Sequence, residues 1–116
     1  MKVLGIKGEN LAVAFLKKKG YRIIARNYKT PIGEVDIIAQ DGDTLVFAEV
    51  KTRTDELFGW PFEAVNKKKR HKMKNVALLY MKRIGGNFPV RFDVISIFYR
   101  ENGEKEIEHI MDAFEV

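Results

Sequence analysis

Two apolar runs joined by an acidic turn constrain this chain more than anything else in it: Gly33 to Lys51 reads GEVDIIAQDGDTLVFAEVK. Val35, Ile37, Ile38 and Ala39 form a strand-like run, Asp41-Gly42-Asp43 supplies a turn, and Thr44 to Thr52 forms a second run of β-branched and aromatic residues. The pattern predicts a β-hairpin. Residues two apart on a strand share a face, so Glu49 and Lys51 project together with Leu45 and Phe47 while Val50 turns away. A face that begins apolar and ends charged runs from a core into a cleft.

Asp36 lies thirteen residues before Glu49 on the neighbouring run, which places two carboxylates side by side. Unit charges about 4 Å apart repel by about 4 kcal/mol at an effective dielectric of about 20. Such a pair needs a shared proton, a neighbouring base or a cation. Lys51 supplies one positive charge. Carboxylate oxygens with water also suit magnesium or manganese, which keep several waters and bind through few carboxylates. A divalent ion of that kind activates water and neutralises a phosphate in in-line displacement, and Lys51 is placed to stabilise the developing charge or steer the attacking water. An exposed Glu-Lys ion pair is the ordinary alternative for an E-x-K triplet. The apolar character of LVFAEV and VDII argues against it, because a carboxylate on a buried strand is costly unless something pairs it.

At 116 residues the chain reads as one domain, residues 1–116, with a single core. Its net charge of +5 conceals an asymmetry: nine Lys and Arg and no acid lie between Ala64 and Phe92, leaving the remainder net acidic. One basic segment on an otherwise acidic protein points to a polyanion partner for one face. With no cysteine, disulfides and thiolate metal sites are excluded. Gly5, Lys7, Gly8 and Glu9 interrupt any leader-like apolar run, and no stretch approaches the roughly 18 apolar residues of a membrane span. A cytoplasmic protein without membrane contact is the expectation.

Residues 5–19 read as a helix with Leu11, Ala12, Phe15 and Leu16 as its apolar stripe, Lys17 to Lys19 in the last turn and Gly20 as the stop. Glu9 precedes Ala12, Val13 and Leu16 by three, four and seven residues, so it points toward the packed side. Tyr21 to Lys29 predicts the first strand and Pro31 to Gly33 a turn. Residues 53–62 form a loop. A helix beginning near Glu63 or Asn66 carries Met73, Val76, Ala77, Tyr80 and Ile84 at helical spacing and ends at Gly85-Gly86. Arg91 to Tyr99 and Lys105 to Ile110 follow as strands around an Asn102-Gly103 turn. The order is αβββαββ, and the fold class is α/β (α+β), a mixed β-sheet flanked by helices.

Asp36, then Glu49-Val50-Lys51, preceded by a helix bearing Glu9, resembles the PD-(D/E)xK nuclease superfamily with its restriction-endonuclease-like core. More closely, the whole chain resembles the bacterial YraN family, through Gly8-Glu9, GEVDII at Gly33 to Ile38, FAEVKTR at Phe47 to Arg53, Phe58-Gly59-Trp60-Pro61, RFDV at Arg91 to Val94, and Ala113-Phe114. The resemblance implies an αβββαβ core and a relation to archaeal Holliday-junction resolvases, homodimeric magnesium-dependent enzymes that cut branched DNA. Carried onto this chain it implies Asp36 and Glu49 as metal carboxylates, Glu9 as an additional acid and Lys51 as the catalytic lysine. Val35 stands where the proline of the motif's name would be.

Among the remaining residues, Lys67, Lys68, Lys69, Arg70, Lys72 and Lys74 place six cations in eight positions. A run of that kind is ordinarily a solvated helix face, but without acids it repels itself, and phosphate contacts give a reason for it. Arg53 continues the Lys51 strand toward phosphate, or pairs with Asp55 or Glu56. Trp60, with Phe58 and Phe62, suits either base stacking or a dimer interface. Glu34 reads as a solvated strand-edge acid, Asp93 as the partner of Arg91, and His71 and His109 as surface or rim residues. The combined expectation is a Mg2+- or Mn2+-dependent endonuclease acting on branched or structured DNA as a homodimer. A non-catalytic nucleic-acid-binding module, or a protein-interaction domain using its basic helix, is the alternative.

Overall fold

A computed structural model describes residues 3–54 and 66–114. Among the described residues, seven elements follow one another: α1 (Val3–Lys18), β1 (Arg22–Thr30), β2 (Gly33–Asp41), β3 (Thr44–Thr54), α2 (Lys67–Ile84), β4 (Val90–Tyr99) and β5 (Lys105–Ile110). The strands form one mixed sheet in the order β1-β2-β3-β4-β5. Only β3 and β4 run parallel, as strands joined by a helical crossover must, and the other neighbours are antiparallel. The α+β architecture expected from the sequence is the one observed.

Alternation along the strands divides the core into two layers. Val35, Ile38, Leu45, Phe47, Phe92 and Val94 meet Met73, Val76 and Ala77 of α2 on one face. Ile37, Ala39, Val46, Ala48, Ile95 and Ile97 meet Ala12, Val13 and Leu16 of α1 on the other. Because both faces are covered, the central strands are apolar throughout, which is why LVFAEV lacks polar alternation.

Each helix has a defined limit. The amides of Gly20 and Tyr21 bond to the carbonyls of Lys17 (2.9 Å) and Leu16 (3.0 Å), a C-terminal cap for which Gly20 adopts φ +93°. The Asn66 side chain caps the start of α2 by accepting from the Lys69 amide at 2.9 Å. That fixes the helix start at the later of the two expected positions.

Two expectations need correction. Ile84 belongs to the helical spacing but, as the last residue of α2, is 44% exposed. His109 is not a surface residue, since its side chain is only 3% exposed. The β4–β5 register pairs it with Ile95, placing it on the α1 face against Phe15 and Tyr21. There its Nε2 meets Asp93 Oδ2 at 2.7 Å and its Nδ1 meets Lys19 Nζ at 2.7 Å. Asp93 also receives Arg91 through two hydrogen bonds of 2.9 Å, the ion pair expected for it. Burial alone would raise the Asp93 carboxyl, but His109, Arg91 and the Asp112 amide hold it below the usual range. Asp55, Glu56, Phe58, Gly59, Trp60, Pro61 and Phe62 lie outside the described residues.

Candidate active site

The β2–β3 hairpin turns tightly at Gly42-Asp43, with Gly42 at φ +62° and Asp41 paired to Thr44. From there the ladder runs Ala39↔Val46, Ile38↔Phe47 and Ile37↔Ala48, and then stops, although both strands continue. The next pair in register would be Asp36 and Glu49. At this point β2 leaves β3, and the Asp36 carboxylate accepts a hydrogen bond from the Val50 amide at 2.8 Å. Opposite, β1 is distorted as well: Arg26 pairs with Ile37 and Tyr28 with Val35, while Asn27 between them adopts φ +50°. Asn is among the few residues that tolerate this left-handed conformation, which concentrates at functional positions.

The opening in the sheet gathers acids from both layers. Glu49 is 5% exposed and approaches Asp36 closely enough to hydrogen-bond with it. Burial, the shared hydrogen bond and the charge of Asp36 push the Glu49 carboxyl up to about 8, against the opposing effect of Lys69 and then Lys51. Glu9 arrives from α1, 5% exposed, as the polar continuation of the stripe formed by Ala12, Val13 and Leu16. Its carboxyl is raised by burial and by Asp36, while hydrogen bonding to Asn27 and the charge of Arg26 pull it back. Gly8 makes this approach possible, because a Cβ there would collide with Thr52 Oγ1 on β3.

The fold sets Asp36, Glu49, Lys51 and Glu9 around one opening in the sheet without closing them into a single cluster. Asp36 and Glu49 form the close pair, Lys51 acts on Glu49 through its charge, and Glu9 flanks Asp36. Among the described residues, no three His, Asp or Glu side chains converge tightly enough to enclose an ion as they stand.

The basic helix divides. Lys67, Lys68 and Lys72 are exposed, and Lys74 is half-buried. The Arg70 guanidinium lies 5.5 Å over the Phe114 ring. Lys69 instead turns inward, its Nζ 3.2 Å from Glu49 Oε2. The Nε of Arg53 is buried without a hydrogen-bond partner among the described residues.

Asn27 escaped the sequence reading, and so did the contact that Lys69, expected on phosphate, makes with Glu49. Asn27 leaves one signal, an amide residue in the middle of an otherwise strand-favouring run. Lys69 is indistinguishable by type from its five basic neighbours, and only the fold singles it out.

The chain was compared with known proteins. A model of the uncharacterised protein family UPF0102 matches residues 8–97, a span that includes Glu9, Asp36, Glu49, Lys51 and Lys69. A UPF0102 protein of Thermodesulfovibrio yellowstonii is 48% identical over 111 residues, covering 96% of this chain and 95% of that protein. A UPF0102 protein of Syntrophomonas wolfei is 46% identical over 112 residues, covering 96% of each. One from Geotalea uraniireducens is 47% identical over 116 residues, covering 99% of this chain and 91% of that protein.

Proposed function

The chain belongs to the uncharacterised protein family UPF0102, and from the way its carboxylates meet we propose a divalent-metal-dependent nuclease that hydrolyses phosphodiester bonds in structured or branched DNA. One observation carries the reading: the β2–β3 ladder stops at Ile37↔Ala48, so that Asp36 and Glu49, the next pair in register, lie together at the opening, with Glu49 buried there and its carboxyl raised to about 8. A buried carboxylate crowded by a half-buried one in this way is held for a cation or a proton in transit. The donors are all oxygen, which fits magnesium or manganese better than a softer metal.

Asp36 and Glu49 would hold the ion, with Glu9 as a further acid beside Asp36. Once bound, such an ion supplies an activated water and neutralises charge on the phosphate. Lys51 adds a positive charge beside the reacting oxygens. Asn27 and the Val50 amide orient Glu9 and Asp36. Lys67, Lys68, Lys72, Lys74 and Arg70 add charge that favours a nucleic-acid backbone, and Arg53 is proposed to contact it as well, with Trp60 a further contact expected from the sequence alone. The likeness of the Asp36, Glu49-Val50-Lys51 pattern to the PD-(D/E)xK superfamily supports the same chemistry. A two-fold dimer of one-domain subunits, working on cytoplasmic DNA, completes the reading, since two-fold symmetry matches a paired substrate.

A non-catalytic nucleic-acid-binding module has one observation in its favour: the Lys69 ammonium already stands beside Glu49, 3.2 Å from Oε2. Labelled single-stranded, duplex, flap and four-way-junction DNA, incubated with Mg2+ or Mn2+, separates the two. Cutting that disappears in Asp36→Ala and Lys51→Ala supports the nuclease. Salt-sensitive binding without any cutting overturns it in favour of the module.

A further inference from the structure

Lys69 is the third residue of α2, and its place is fixed twice over. Asn66 caps the helix through the Lys69 amide, and the burial of Met73, Val76 and Ala77 sets the helix's rotation. Its backbone cannot turn to solvent without breaking the core. Its side chain can, because four methylene groups let the ammonium swing. At present the ammonium lies 3.2 Å from Glu49 Oε2, with the Lys69 side chain 28% and the Glu49 side chain 6% exposed. The lysine thus stands at the boundary between the carboxylates and water.

One turn further along, Lys72 lines an open cleft of about 320 Å³ together with Lys29, Thr30, Ile32 and Glu34 at the β1–β2 turn. The helix packs directly over this turn: a Cβ on Gly33 would already make van der Waals contact, 3.4 Å from Lys72 Cβ and from Val76 Cγ2. Residues three apart on a helix are neighbours, so Lys69 borders both the carboxylate pair and this basic cleft.

We propose that Lys69 is the resident counter-cation of the Asp36–Glu49 pair and exchanges onto a backbone phosphate when nucleic acid enters the cleft beside Lys72, vacating Glu49 for a divalent ion. The inference rests on the metal-site reading above. The exchange moves one positive charge from Glu49 to phosphate as another positive ion arrives, so neither the buried carboxylate nor the phosphate is left unpaired. Nucleic-acid contact and cation entry are then coupled, and each favours the other.

The test separates this exchange from a structural role by the direction of two effects. Mn2+ binding to the free protein is measured by calorimetry, and binding of a short duplex DNA without metal by fluorescence anisotropy. The proteins are the wild type, Lys69→Met, Lys69→Arg and Lys67→Met, each checked for folding by circular dichroism. Lys69→Met should tighten Mn2+ on the order of tenfold, because a charge 3.2 Å from the site no longer competes. The same change should weaken DNA binding and reduce its logarithmic salt slope by about one. Lys69→Arg should resemble the wild type, and Lys67→Met should leave Mn2+ binding unchanged. Equal Mn2+ affinity in wild type and Lys69→Met overturns the exchange while the carboxylate site stands. Weakening of both ligands overturns it as well, as does a Lys69→Arg protein that behaves like Lys69→Met. If no form binds Mn2+, the metal-site reading fails and takes the exchange with it.

Discussion

The Val50 backbone N–H donates to Asp36 Oδ2 at 2.8 Å, so a side chain of β2 fills the place in the ladder that the β2 backbone has left. Continuing the Ile37↔Ala48 register would have paired Val35 with Val50. Asp36 therefore closes the sheet structurally while it lines the opening chemically.

Substitutions at Asp36 should separate those two roles. Asp36→Ala leaves the Val50 amide without its acceptor, at a cost of about 1–3 kcal/mol. Asp36→Asn keeps an acceptor oxygen and should retain most of that stability. Both changes remove the negative charge next to Glu49, so the difference between them in urea midpoint reads the hydrogen bond alone. If both proteins unfold at the same midpoint, the Val50 contact contributes nothing. Divalent-ion binding should be lost in both.

Stability should fall as pH rises from about 4.5 to about 8 in metal-free buffer, because the folded Glu49 retains its proton up to about 8 while the unfolded residue releases it near its ordinary value of 4.5. The unfolded chain then binds fewer protons than the folded one, which makes the slope negative. The upper limit of the loss is about 5 kcal/mol. Glu49→Gln should flatten this part of the profile. Added Mg2+ should raise the melting temperature at pH 8.5 and do little at pH 5, where a proton occupies the carboxylate. Thermal melts across pH with and without Mg2+ provide the check, and a flat wild-type profile would sink the assignment.

Gly8→Ala should destabilise the protein even though alanine favours a helix by about 1 kcal/mol. The new Cβ would collide with Thr52 Oγ1, and relief of such overpacking costs about 1–3 kcal/mol. Thr52→Ala in the same chain should restore the loss. A double-mutant cycle that finds the two changes additive would place the crowding elsewhere.

How much of this was legible beforehand depends on distance along the chain. Asp36 and Glu49 share a hairpin, and the strand alternation with the Asp-Gly turn set their register to within one pair. Glu9 was legible because its spacing to Ala12, Val13 and Leu16 is the helical one. The break in the ladder at Asp36 was not, since VDII reads as uninterrupted strand and the left-handed Asn27 opposite it follows from pairing rather than local preference. Lys69 and His109 were hidden for a related reason. Each acquires its role from a partner on a distant element, Glu49 on β3 and Asp93 on β4, and neither partner leaves a trace in the residues flanking them.

The parallel pairing of β3 with β4 also sets an order of events. The β2–β3 hairpin closes across two residues, whereas β3 meets β4 only after the chain from 55 to 89 has been traversed. Local contacts form faster than distant ones, so on its way to the native state the chain should bring Asp36 against Glu49 before α2 delivers Lys69. Pulse-labelled hydrogen exchange would then find the Ile37 and Ala48 amides protected ahead of those in Val94 and Ile95, and simultaneous protection would rule the order out. For that interval the nascent hairpin holds two crowded acids with no helix to quiet them, and its early survival depends on protons or ions borrowed from the surrounding solution.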